Sequence, residues 1–146
     1  MATTTDHKTI VVVDDELHNM LWLIDYLEAK GFRVLTAESV NDALELIGKE
    51  IYRALVIDLN LPVLPPLEEE VAAAGIEYKT FPGLYIADKA RNFGYRDRQV
   101  MLYSVHRDPG VAQIAQRMGM TYIMKGRPHE IKAEIDMVVS YDPTAH

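Results

Sequence analysis

The sequence contains no cysteine. Disulfides, thiolate metal sites and a cysteine nucleophile are therefore excluded, and a reducing compartment suits the chain. It also lacks any apolar run near the roughly 18 residues that a membrane helix needs. The opening MATTTDHKT has neither the basic nor the apolar region of a secretory signal. A cytoplasmic location with no membrane association is expected. Basic residues are few, 15 Lys and Arg against 22 Asp and Glu, for a net charge of −7. They are also scattered, whereas nucleic-acid binding needs clustered cations that displace phosphate counterions. Direct binding of nucleic acid is not expected. The five histidines, His7, His18, His106, His129 and His146, show no metal-ligand spacing and read as surface residues. No low-complexity tract or solenoid-scale repeat is present.

What remains is a chain of 146 residues, 49% of them hydrophobic, enough for one domain with its own core. TIVVV at 9–13 is a β-branched run that predicts a strand buried on both faces. Leu17, Met20, Leu21, Ile24 and Leu27 then recur at helical spacing over 17–30, with Gly31 as the stop. FRVLTA, 32–37, predicts a second strand. Ser39 is placed to cap a helix over about 40–50, whose apolar stripe is Ala43, Leu44 and Ile47. ALVID, 54–58, predicts a third strand. Beyond it the pattern predicts a helix near 84–93, a strand at 100–104, a helix near 110–118, a strand at 121–124 and a helix near 128–139. Asp108-Pro109 and Pro128 open the last two helices. Trp22 and the methionines at helical spacing read as core. Five alternations of strand and helix predict a doubly wound α/β domain, a parallel sheet with helices on both faces. One stretch breaks the alternation. Roughly 25 residues separate Asp58 from the next clear helix, where two to six are usual. This stretch, about 63–83, reads as an extended, solvated surface loop in which LEEEVAAAG can form a short helix. A docking or lid element is the other reading.

In an open parallel sheet, ligands bind beyond the carboxyl ends of the strands. Asp14 and Asp15 follow the first strand, Asp58 ends the third, Ser104 ends the fourth and Lys125 follows the fifth. Three carboxylates, a hydroxyl and an amine are thus expected on one edge. Carboxylates packed together raise one another's pKa. A hard divalent cation, Mg²⁺ or Mn²⁺, relieves this and keeps waters for a phosphate ligand. Such an ion and a lysine together can neutralise a transferring phosphoryl group, and a carboxylate there can act as the nucleophile.

The segments DDE at 14–16, IDLNLP at 57–62, VMLYS at 100–104 and YIMK at 122–125, in this order and each at a strand end, resemble the signatures of response-regulator receiver domains. The resemblance runs from about Lys8 to Val139. It implies a flavodoxin-like five-stranded sheet of order 2-1-3-4-5 in a single receiver domain. It also implies phosphorylation of Asp58 by a histidine kinase, a phosphotransfer protein or a small phosphodonor. Asp15, Asp58 and the Asn60 backbone carbonyl would ligate the metal, with Asp14 acting through water. Lys125 would pair with the phosphoryl group, Ser104 would move toward it, and Tyr122 would be the switch aromatic. His106 would border the site. With no output domain expected, the chain would be a stand-alone switch rather than an enzyme with a separate substrate. It would signal to a downstream protein through the face built from the helix near 110–118, the strand 121–124 and the helix near 128–139. A homodimer through that face stays open, as does a larger parent protein.

Three features depart from the family pattern. The loop after Pro62 is long, with Gly83 matching a glycine that normally comes only a few residues on. Gly126 follows Lys125 where the family has proline in a cis peptide, so a trans bond is expected. Val105 replaces a small residue after Ser104. These motivate an alternative, a pseudo-receiver that docks partners without being phosphorylated. A haloacid-dehalogenase-type phosphotransferase also uses a strand-end aspartate, but it requires DxD after the first strand, and here Asp14 is followed by Asp15 and Glu16.

Overall fold

A computed structural model describes residues 4–96, 99–105, 107–125 and 128–140. The strands are β1 (Asp6–Val13), β2 (Arg33–Ala37), β3 (Tyr52–Asp58), β4 (Val100–Ser104) and β5 (Thr121–Met124). All four pairings between neighbours are parallel, in the order β2-β1-β3-β4-β5. This is the doubly wound order that the resemblance implied. The strand order reverses between β1 and β3, so a crevice opens above their carboxyl ends.

The alternation of side chains along each strand divides the core in two. Val11 and Val13, Leu55 and Ile57, Val100 and Leu102 face one layer. That layer is covered by α2 (Val40–Ile47), α5 (Pro82–Phe93) and α6 (Pro109–Met118). Ile10 and Val12, Ala54 and Val56, Met101 and Tyr103 face the other. There α1 (Leu21–Ala29) and α7 (Pro128–Ser140) supply Leu23, Leu27, Ile131 and Ile135. The parallel strands are buried on both sides, which is why their sequences are nearly continuous apolar runs.

Helix ends follow the local chemistry. The Ser39 hydroxyl accepts from Asp42 N at 3.1 Å and caps α2. Asp108 does the same for α6, accepting from Val111 N at 2.9 Å. Gly31, with φ of +95°, turns the chain after α1. Three expectations need correction. The segment expected to be helical over 17–30 opens as a 3₁₀ turn, Leu17–Met20, before α1 begins. That shift in phase turns Leu21 outward, 56% exposed, and buries Leu23 instead. The helix expected to reach residue 50 ends at Ile47. Among the methionines, Met137 is exposed rather than core.

The stretch 63–83 is not a structureless loop. It holds α3 (Leu67–Ala74) and α4 (Ile76–Thr80), and α5 already starts at Pro82. Glu68, Glu69 and Glu70 sit in the first turn of α3, where the helix dipole favours anions, and three alanines complete it. Val71 is buried, and Val63, Leu67, Tyr78 and Phe81 pack against the same core layer. The Tyr78 ring meets Tyr85 of α5 edge-on, with centroids 6.1 Å apart. The entry to the stretch is tied to α2 by Leu64 N donating to Asn41 Oδ1 at 2.9 Å and by Val40 N donating to Pro62 O at 3.1 Å. Part of the apolar content that resembled loop sequence is therefore an extension of the core.

The exit from the stretch is fixed by Gly83. Its N–H donates to Leu59 O at 3.0 Å, and a Cβ at this position would stand 2.1 Å from Asp58 O. Only glycine permits this approach to the backbone of the β3 end. Gly83→Ala is expected to destabilise the protein by about 3 kcal/mol through overpacking. Urea denaturation would measure this as a lower midpoint with an unchanged slope.

Candidate functional site

The period of two along the strands explains which side chains meet. Asp14 is in phase with Ile10 and Val12, Asp58 with Ala54 and Val56, Tyr103 with Met101, and Lys125 with Ile123. All four therefore turn toward the layer covered by α1 and α7. The ladder geometry persists past the strand ends and holds them level. Asp14 N donates to Ala37 O at 3.0 Å, Leu59 N to Tyr103 O at 3.2 Å and Lys125 N to Ser104 O at 2.8 Å.

Asp14 and Asp58 are only 1% and 3% exposed, while Asp15 is exposed. Lys125 Nζ lies 3.3 Å from Asp14 Oδ2 and 3.2 Å from Asp58 Oδ2, bridging the two buried carboxylates. Asp14 Oδ1 accepts from Glu16 N at 2.8 Å. Asp58 Oδ1 accepts from Asn60 N at 3.2 Å. The Tyr103 hydroxyl donates to Asp14 Oδ2, and its ring lies beneath Lys125, with Nζ 4.8 Å from the centroid.

Burial pushes the Asp58 carboxyl up to about 6, against the opposing pull of the Asn60 N–H and Lys125 and with help from the Asp14 charge. Burial also disfavours the charge on Lys125, but Asp58 and Asp14 outweigh it and raise its pKa. Burial and the bond to Asp14 hold the Tyr103 hydroxyl far above its ordinary range, so it stays a proton donor.

Each residue singled out in the sequence has a place here. Asp14, Asp15, Asp58 and Lys125 are brought together. Asn60 contributes its N–H to Asp58. Ser104 is buried at the end of β4, one residue past the register partner of Asp58. Tyr122 faces the other core layer, its hydroxyl accepting from Asp108 N at 3.0 Å at the start of α6, with the Arg107 guanidinium 5.3 Å from its ring. Val105 is exposed at the cleft mouth. His7, His18 and His129 are exposed. His106, His146 and Gly126 lie outside the described residues.

Two participants escaped the sequence reading. Tyr103 is one. A tyrosine on a strand buried on both faces needs a partner for its hydroxyl, and its phase pointed to the strand-end carboxylates. Trp22 is the other, since it lines the cleft as well as packing on the core. That cleft, about 490 Å³, opens above Asp15, Asp58, Asn60 and Lys125.

The donor set fits a hard divalent ion. One oxygen from each of Asp14, Asp15 and Asp58 can be chosen so that all lie within 4.8 Å of one another. Lys125 carries one positive charge against these three carboxyl groups, and a divalent ion would supply the rest.

No protein-family model matches the chain. No curated protein matches it in sequence either. Many of its solved structural neighbours are receiver domains of response regulators. The receiver domain of HemR from Leptospira biflexa superposes with a TM-score of 0.73 at 16% identity, covering 94% of this chain and 98% of that one. A CheY-like receiver from Methanospirillum hungatei gives 0.69 at 20% identity, covering 91% and 94%. The response regulator TrrA from Thermotoga maritima, solved in complex with Mg²⁺-BeF, gives 0.65 at 22% identity, covering 90% and 98%. The chain has the CheY-like receiver fold.

The Asp58 shift has a sign in stability. A carboxyl whose folded pKa lies above its unfolded value stabilises the fold while protonated, and that contribution is lost as pH rises through about 6. In EDTA, Asp58→Asn is expected to exceed the wild type in stability by roughly 2–3 kcal/mol at pH 7.5. The gap should close by pH 4. Thermal unfolding of both proteins across this range would check it, and a gap independent of pH would refute the assignment.

Proposed function

We propose that this protein is a response-regulator receiver in a two-component system, phosphorylated on Asp58. The observation that carries the reading is the bridge by Lys125 between two buried aspartates at the strand-order reversal. A structural ion pair needs no cleft above it and no third carboxylate beside it, and this site has both.

Asp58 is the nucleophile. With its pKa near 6 it is mainly ionised at pH 7, yet more basic than an ordinary carboxylate. One of its oxygens forms a bond to phosphorus as the bond from phosphorus to the donor's imidazole or acyl oxygen breaks. Lys125, already 3.2 Å from Asp58 Oδ2, offsets charge on the phosphoryl oxygens. Asp15, Asp58 and the Asn60 carbonyl would hold Mg²⁺, with Asp14 behind them. When bound, Mg²⁺ supplies neutralisation of the anionic phosphoryl group and of the crowded carboxylates. The Asn60 N–H orients Asp58 from the opposite side to Lys125. Ser104 and Tyr122 carry the response toward α6, β5 and α7, the face that engages a downstream protein. The protein modifies itself and turns over no separate substrate.

Intact-mass analysis after incubation with acetyl phosphate and Mg²⁺ tests this. The expected result is a gain of one phosphoryl group that needs Mg²⁺ and is absent in Asp58→Asn. Lys125→Ala is expected to slow the gain about a hundredfold. Wild type that gains no mass from acetyl phosphate or from a phosphohistidine donor protein would instead support a docking module that is not phosphorylated.

A further inference from the structure

The segment that carries α3 and α4 does more than extend the core. A groove of about 460 Å³ lies beside α3. Leu61 and Val71 are its buried floor, and Val63, Ala72 and Pro82 add apolar surface around them. The same segment leaves Leu64 51% and Ile76 68% exposed. Apolar surface gathered in one place and edged by charge marks an interaction site, whereas single exposed apolar residues do not.

The edge of this groove is acidic. Glu68 and Glu69 line it together with Lys79, and residues 63–83 carry four glutamates against one lysine, a net charge of −3. Among the described residues no Lys, Arg or His pairs with Glu68 or Glu69. The dipole of α3 favours carboxylates in its first turn, but it does not require an open apolar groove beside them. The uncompensated charge selects a cationic partner. A second copy of this chain, at a net charge of −7, is repelled from such an edge, and so is a nucleic acid.

The lining also selects the form of the partner. An added strand needs a free sheet edge, but the edges of this sheet are β2 and β5, and neither lines the groove. A polyproline ligand needs aromatic walls, and among the described residues no aromatic side chain lines it. An amphipathic helix needs an apolar trough with charge at its margin. Val63, Val71 and Ala72 are short side chains, so a partner helix can approach closely. We propose that this groove docks a basic amphipathic helix of another protein. Its aliphatic side chains, at helical spacing, rest on Leu61, Val63 and Val71, and its Lys or Arg residues meet Glu68 and Glu69. The surface is separate from the face built from α6, β5 and α7. The proposal goes beyond the phosphorylation reading and does not rest on it.

A library of random peptides of about 16 residues, long enough for four helical turns, selected on the full-length chain supplies the probe. The enriched peptides are expected to carry Lys or Arg beside aliphatic residues at helical spacing, and to gain helix on binding by circular dichroism. Fluorescence anisotropy of one such peptide then compares variants in pairs. Replacing both groove carboxylates, Glu68→Gln with Glu69→Gln, is expected to weaken binding about fivefold, the scale of two exposed ion pairs. Glu70→Gln with Glu77→Gln removes the same charge from first turns of α3 and α4 without touching the groove lining. That pair is expected to change affinity less than about twofold at physiological salt, where distant charges are screened. Ala72→Gln fills the groove with a good helix former and is expected to weaken binding more than about tenfold. Ala73→Gln, on the same helix outside the lining, is expected to leave it unchanged. All six positions are exposed, and should Ala72→Gln not fold, the glutamate pairs carry the test.

Enrichment of no peptide, enrichment of peptides without Lys or Arg, or equal effects of groove and control variants would overturn the proposal. A dimer in sedimentation that Ala72→Gln abolishes would overturn it too, because the groove would then belong to a second copy of the chain. A protein that gains no phosphoryl group yet binds the peptides as expected would sink the switch reading and leave this one standing.

Discussion

The structure depends on two carboxylates held out of water at adjacent strand ends. Asp14 and Asp58 are nearly fully buried, and a buried charge without compensation costs several kcal/mol. Lys125, the N–H groups of Glu16 and Asn60 and the Tyr103 hydroxyl supply that compensation from four separate segments. Removing Lys125 takes away the counter-charge, and removing a neutral donor leaves a buried carboxylate oxygen with one partner fewer. The sheet order matters because it sets β1 beside β3 and β3 beside β4, placing these segments within hydrogen-bond reach.

The same constraint links the site to the rest of the chain. Asp58 ends β3, and the next residues lead directly into the segment that carries α3 and α4. Gly83 returns from that segment and packs against the backbone of Asp58 and Leu59. Both ends of the additional helices are thus anchored close to Asp58, one through Pro62 and Leu64 to α2, the other through Gly83. Tyr78 and Phe81 join them to the layer under α5. This is a buttress on the core, and its acidic outer face is the part left to solvent.

The strands, their order of appearance and the converging Asp14, Asp58 and Lys125 were legible because their signals are local. A β-branched run ending on aspartate carries its own evidence, and α/β alternation leaves few topologies. The helical content of 63–83 was harder to read. Its prolines and glutamates look like loop, and the apolar residues that make it pack, Val63, Val71, Tyr78 and Phe81, follow no single helical period. Leu21, expected on the apolar stripe, turns outward for a related reason. A 3₁₀ turn advances about 120° per residue rather than 100°, and four such residues rotate the apolar stripe of α1.

From the sequence alone came the parallel α/β class, the boundaries of most elements to within a few residues, and the set of chemical groups at one sheet edge. These follow from periodicities of two and 3.6 and from residues adjacent in the chain. Tertiary structure decided which of those groups touch and how each is charged. Lys125 reaches Asp14 and Asp58 across 111 and 67 positions of sequence, and Tyr103 reaches Asp14 from a different strand. Burial, which raises the Asp58 pKa, is a property of everything packed around it. Desolvation and contact depend on neighbours far apart in the chain, so no local pattern could have specified them.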